Sequence, residues 1–112
     1  MHIQNKVIVI TGGASGLGLA TAHFMVEEKG ARVAIFDMNS EAGEKAVKDL
    51  GADNAMFVQT DVSNEESVQN AVNAVMAKFG AIHVCINCAG IANGFKVLGK
   101  EGKAAPLTKF AQ

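Results

Sequence analysis

The stretch Val7 to Gly18, V-I-V-I-T-G-G-A-S-G-L-G, restricts the possible folds more than any other part of the chain. Val7 to Ile10 are all β-branched and apolar, with no polar break. Such a run predicts a strand buried on both faces of a parallel sheet. Glycines follow at once, at positions 12, 13, 16 and 18. Leu17, Ala20, Thr21, Phe24 and Met25 then recur at helical spacing and mark the apolar stripe of an amphipathic helix.

Strand, glycine turn and helix together suit a diphosphate. A helix N-terminus carries free N–H groups and the positive end of the helix dipole. Glycines let the backbone turn tightly and approach the phosphates with no Cβ in the way. The spacing is Gly12-x-x-x-Gly16-x-Gly18, which differs from the G-x-G-x-x-G dinucleotide fingerprint. Taken alone, the segment also fits a tight turn with no ligand.

Three further strands and two further helices are expected. Arg32 to Phe36 reads as a second strand with Asp37 at its C-terminal end. Ser40 is placed to cap a second helix with Ala42, Ala46, Val47 and Leu50 inward and Gly51 as its stop. Ala55 to Gln59 is a third strand, leading into Thr60-Asp61-Val62. Ser63 to Glu66 has the form of a capping box. After it, Val68, Ala71, Val72, Val75, Met76 and Phe79 hold one face of a third helix, ended by Gly80. Ile82 to Ile86 is a fourth strand, running into Asn87-Cys88-Ala89-Gly90.

Alternation of this kind implies an α/β fold with a doubly wound parallel sheet, strand order 3-2-1-4 and helices on both faces. Residues 1–94 form that unit; 95–112 read as a flexible loop and the start of another helix at Pro106. Because the sequence stops about one turn later, we expect further chain beyond it. Ligands of such sheets bind at the carboxyl ends of the strands. The distinctive polar groups gather there: Thr11 to Gly18, Asp37, Asp61, and Asn87 to Gly90.

Asp37 lies 19 residues beyond Gly18. An acid at that place accepts hydrogen bonds from both adenosine ribose hydroxyls and repels a 2′-phosphate, which favours NAD over NADP. Met38 and Asn39 follow, with no nearby arginine. An ordinary turn carboxylate before Ser40 is the alternative. Asp61 is placed to hydrogen-bond the adenine amino group, with Val62 beside the ring edge; a cap or turn role near Ser63 is its alternative.

Composition excludes other classes. The formal net charge is -1 with both signs scattered, which argues against nucleic-acid or anionic-membrane partners. No apolar run approaches the ~20 residues that span a bilayer. The N-terminus lacks a secretory or transit pattern, so a cytoplasmic location is expected, with the mitochondrial matrix as the alternative in a eukaryote. Cys85 and Cys88 have C-x-x-C spacing but fall at the end of a strand, where positions three apart face opposite ways, so neither a disulfide nor a redox pair is expected. His2, His23 and His83 form no metal motif.

T-G-G-A-S-G-L-G, Asp37, Asp61-Val62 and Asn87-Cys88-Ala89-Gly90 together resemble the short-chain dehydrogenase/reductase family over residues 3–94. The form N-C-A-G-I-A, with K-F-G before the fourth strand, is most similar to the 3-hydroxyacyl-CoA dehydrogenase branch of that family. The resemblance implies that Gly12, Ser15, Gly16, Leu17 and Gly18 hold the NAD diphosphate, Asp37 the ribose, and Asp61 and Val62 the adenine. Cys88, Ala89 and Gly90 would line the cofactor near the nicotinamide ribose, with Asn87 steadying the sheet. His83 stands where the family usually has an acid and is read as structural. The implied activity is hydride transfer between NAD and an alcohol or ketone, with a 3-hydroxyacyl-CoA or a hydroxysteroid as candidate substrate, in a homotetramer. The family's Tyr-x-x-x-Lys pair has no counterpart, because the sequence contains no tyrosine. No catalytic residue is therefore assigned. A noncatalytic nucleotide-binding or assembly module is the alternative reading.

Overall fold

The computed structural model describes residues 3–88. Its elements are β1 (Val7–Thr11), α1 (Gly16–Glu27), β2 (Arg32–Asp37), α2 (Ser40–Leu50), β3 (Ala55–Gln59), α3 (Glu65–Phe79) and β4 (Val84–Asn87). All strand pairs are parallel, in the order β3-β2-β1-β4. The expected boundary at residue 94, and the loop and helix start after it, lie outside the described residues.

β1 is buried along its whole length because the sheet is covered on both faces. Val7 and Val9, with Ala34 and Phe36 of β2, pack against Val68, Ala71 and Val75 of α3. Ile8 and Ile10, with Val33 and Ile35, pack on the opposite face with Ala22 of α1 and with Ala46 and Leu50 of α2. Pleating sends successive residues to opposite faces, so an unbroken β-branched run is what a strand between two helical layers requires.

Helix α1 turns a different face inward from the expected one. Gly18 and Ala22 are its buried residues, whereas Leu17 is 76% and Phe24 48% exposed, and Ala20 is exposed too. The helix is apolar nearly all round, so periodicity could not select a face. Contact with the glycine turn did. A Cβ on Gly18 would overlap the carbonyl of Gly12, so residue 18 has to face the turn. Ala22, one turn on, then faces the sheet, and Leu19, Met25 and Val26 are partly buried beside it.

Both expected caps shift by one residue. Asn39 caps α2, its side chain accepting from the Ala42 N–H at 3.0 Å, and Ser40 becomes the first helical residue. Asn64 caps α3, accepting from the Ser67 N–H at 2.9 Å. The Ser63–Glu66 capping box does not form because Ser63 Oγ donates to Asp61 Oδ1 at 2.6 Å instead. Gly80 ends α3 at φ +79°, a left-handed cap that favours glycine. Met76, expected on the inner face, is 46% exposed.

β4 begins at Val84, two residues later than expected. His83 N donates to the Val7 carbonyl at 2.9 Å, and the Val7 N–H donates to His83 Nδ1, also at 2.9 Å. An imidazole thus replaces the carbonyl that would have extended the ladder. The bond requires an unprotonated Nδ1. A histidine side chain thus serves as the acceptor at the start of β4.

Candidate functional site

The site forms where β1, β2 and β3 end. After Thr11 the chain turns through Gly12, at φ +69°, and Gly16, at φ +56°. Gly12 N donates to the Phe36 carbonyl at 2.8 Å, which ties the turn to β2. Ser15 precedes α1 in extended backbone and makes no side-chain cap bond, so it leaves the N–H groups of the first turn uncapped. A Cβ on Gly16 would meet nothing within 4 Å, so the turn is open on that side.

Asp37 stands opposite the turn. Its Oδ2 accepts from the Ala14 N–H at 3.1 Å and its Oδ1 from the Asn39 N–H at 3.0 Å. Its carbonyl accepts from Thr60 N at 2.9 Å, which joins the ends of β2 and β3. Thr60 is buried, its hydroxyl donating to the Val58 carbonyl at 2.7 Å. Asp61 N donates to Ser67 Oγ at 2.9 Å, so α3 holds the Asp61 backbone in place.

Between these strand ends lies an open cleft of about 440 Å³. Gly12, Ser15, Gly16, Leu17, Gly18, Asp37, Asp61, Val62 and Cys88 all line it, as expected from the sequence. Asn87 does not. Its Oδ1 accepts from Thr11 Oγ1 at 2.7 Å, binding β4 to β1. Ala89 and Gly90 lie outside the described residues. Phe36, Met38 and Thr60 also line the cleft. Of these, Met38 is the informative omission: it is 60% exposed and stands with Leu17 at the rim. The sequence carried no signal for it, because the fold alone decides that the residue after Asp37 is exposed at the cleft.

The two cysteines are free and serve opposite faces. Cys85 is buried with the α3 layer and Cys88 packs toward the α1 and α2 layer. Burial, with a smaller effect of Cys88, pushes the Cys85 thiol up to about 12, so it stays protonated at neutral pH. Among the described residues no group of three or more His, Cys, Asp or Glu could hold a metal ion. No helix among them is long and apolar enough to cross a membrane.

The Ser63 hydroxyl, and then its N–H, hold the Asp61 carboxyl below its ordinary value of 3.8. The folded form is the one with the lowered value. These bonds therefore stabilise the fold above the ordinary aspartate range, and that stabilisation is lost as pH falls through the lowered folded value. Ser63→Ala is expected to move the Asp61 titration, followed by carboxyl NMR, up toward 3.8. An unchanged midpoint would show that the hydroxyl is not its cause.

Parallel order, glycine turn and strand-end acids together define a dinucleotide-fold α/β protein. Residues 6–106 match the short chain dehydrogenase family, and the chain belongs to it. It is 43% identical over 109 residues to human 3-hydroxyacyl-CoA dehydrogenase type-2, covering 96% of this chain and 41% of that protein. The chain thus spans about two-fifths of that relative's length. Among solved structures, a short chain dehydrogenase from Bacillus anthracis superposes with a TM-score of 0.73 at 34% identity, over 80% of this chain and 36% of the other. An NAD⁺-bound xylitol dehydrogenase superposes at 0.69 with 37% identity, over 76% of this chain and 33% of the other.

Proposed function

We propose that the cleft binds NAD(H), and that the protein to which this chain belongs moves hydride between NAD and a secondary alcohol or ketone. One observation carries the reading: a glycine turn at a helix N-terminus and two strand-end carboxylates face a single cleft. The charges are arranged for a dinucleotide. The α1 N-terminus suits the diphosphate, and Asp37 and Asp61 suit the hydroxyl and amino groups of adenosine. The open side of Gly16 leaves room for phosphate oxygens, and a cleft of about 440 Å³ lies within the usual size range of ligand pockets.

In this reading Gly12, Ser15, Gly16, Leu17 and Gly18 hold the diphosphate. Asp37 takes the ribose, Asp61 and Val62 the adenine, and Met38 and Leu17 supply apolar walls at the rim. Cys88 is assigned to the nicotinamide ribose, and the family resemblance assigns Ala89 and Gly90 to the same part of the cofactor. Asn87 fixes β4 to β1 through Thr11 and so sets the position of Cys88, whose N–H donates to the Thr11 carbonyl at 2.9 Å. NAD supplies the hydride acceptor or donor; this chain binds and orients it. The human relative's name supports a 3-hydroxyacyl-CoA thioester as substrate; the hydroxysteroid alternative and a homo-oligomer rest on the family resemblance alone.

Titration calorimetry with NAD and NADP tests the cofactor reading. Wild type is expected to prefer NAD by at least about tenfold, since a charged hydrogen bond contributes roughly 1.5–3 kcal/mol. Asp37→Ala is expected to narrow that preference by removing both the ribose acceptor and the charge that repels a 2′-phosphate. Equal or tighter NADP binding by wild type would defeat the reading.

A further inference from the structure

We infer that Asp37 also positions the diphosphate turn through its carboxylate, independently of any contact with the ribose. This rests on the cleft being a nucleotide site. Ala14 lies in the middle of the turn and is 3% exposed. Its N–H is directed at Asp37 Oδ2, at 3.1 Å, across 23 positions of sequence. A buried N–H left without a partner is costly, so a turn that lost this acceptor would have to shift.

Asp37 is itself held at both its side chain and its backbone. Asn39 N holds Oδ1 at 3.0 Å, and Thr60 N holds the Asp37 carbonyl at 2.9 Å. The turn has little freedom on its inner side. A Cβ on Gly13 would stand 3.1 Å from the Ile10 carbonyl and 3.1 Å from the Ile35 side chain. The turn is therefore tied to β2 twice, by Gly12 N on the Phe36 carbonyl and by Ala14 N on Asp37. An ionised carboxylate offers about four lone-pair positions. Two are used inside the protein, which leaves two for vicinal ribose hydroxyls. One side chain thereby shapes the phosphate site and reads the sugar.

Asp37→Asn and Asp37→Ala separate the two roles, because both remove the charge and only one keeps an acceptor. In Asp37→Asn the amide oxygen is expected to face Ala14, whose N–H is buried, since Asn39 is exposed and water can serve its N–H. The probe is inorganic pyrophosphate, which has no ribose. If Asp37 acted on pyrophosphate by charge alone, both variants would bind it equally, and more tightly than wild type. Positioning instead requires Asp37→Asn to bind it about fivefold more tightly than Asp37→Ala, the factor for one neutral hydrogen bond of about 1 kcal/mol. Amide hydrogen exchange of Ala14 without ligand is expected to speed up in Asp37→Ala and to stay near wild type in Asp37→Asn. Equal affinities and equal Ala14 exchange in the two variants would overturn the positioning role while leaving the cofactor reading intact. A wild-type protein that bound neither NAD nor pyrophosphate would overturn both.

Discussion

Gly18→Ala is expected to lower the melting temperature by roughly 10–20 °C and to weaken NAD binding. A Cβ at this position would meet the Gly12 carbonyl oxygen and carbon and the Gly13 Cα. All three are backbone atoms, so no rotamer change relieves the overlap. Either α1 moves away from the sheet or the turn moves into the cleft. Overpacking costs about 1–3 kcal/mol, occasionally more. Because only backbone atoms could give way here, the upper end, about 3 kcal/mol, is expected. Each kcal/mol shifts the midpoint of a small domain by roughly 4–8 °C. The binding loss is separate, because the turn would no longer present its N–H groups in one geometry. Gly16→Ala is the control. Its φ of +56° is strained for alanine, but a Cβ there would meet nothing within 4 Å. It is expected to cost only about 1–2 kcal/mol. Thermal melts of the two variants decide the matter. A Gly18→Ala midpoint within about 2 °C of wild type would mean that α1 does not depend on this close approach.

The 112-residue chain by itself is expected to give no NAD-dependent oxidation of an alcohol or reduction of a ketone at an enzymatic rate. Orienting a nicotinamide is only half of what the reaction requires. The alcohol oxygen also needs a group that takes or gives its proton, a contribution of typically 10²–10⁴-fold. Family resemblance assigns that role to a tyrosine, and this sequence contains none. Thr11, at the end of β1, is buried and donates to Asn87, so its hydroxyl is committed to the sheet. Cys85 is equally unsuited, with its thiol pushed up to about 12 and packed under α3. Steady-state assays on the purified chain with a panel of secondary alcohols and 3-hydroxyacyl thioesters provide the check. Turnover of about 1–10³ s⁻¹, the usual enzymatic range, would show that a proton-transfer group has been overlooked.

Much of the site could be read from local pattern, and some of it could not. Glycines 12, 16 and 18, Asp37, Asp61 and Cys88 were legible because each stands at or just beyond the end of a strand that its own periodicity delimits. Strand ends in a parallel sheet fall on one side, so their polar residues converge wherever the strands pair. Met38 is not legible in this way, because its meaning depends on which way the residue after Asp37 is exposed. The face of α1 is hidden for a similar reason: an almost uniformly apolar helix has no preferred inner stripe until something touches it.

The amino-acid sequence by itself determined the order of elements, the parallel sheet with both faces covered, and the place of the cleft. These follow from β-branched runs, helical spacing and turn residues, each acting over a few neighbouring positions. Tertiary structure decided what depends on groups far apart in the chain. The Gly12–Gly18 contact decided the rotation of α1. Asp61 drew Ser63 out of the capping box and left Asn64 to cap α3. His83 reached Val7 across 76 positions to start β4. The Asp37 carboxylate met Ala14 only because β1 and β2 lie side by side, and no local propensity encodes a hydrogen bond between residues that pairing alone brings within 3.1 Å.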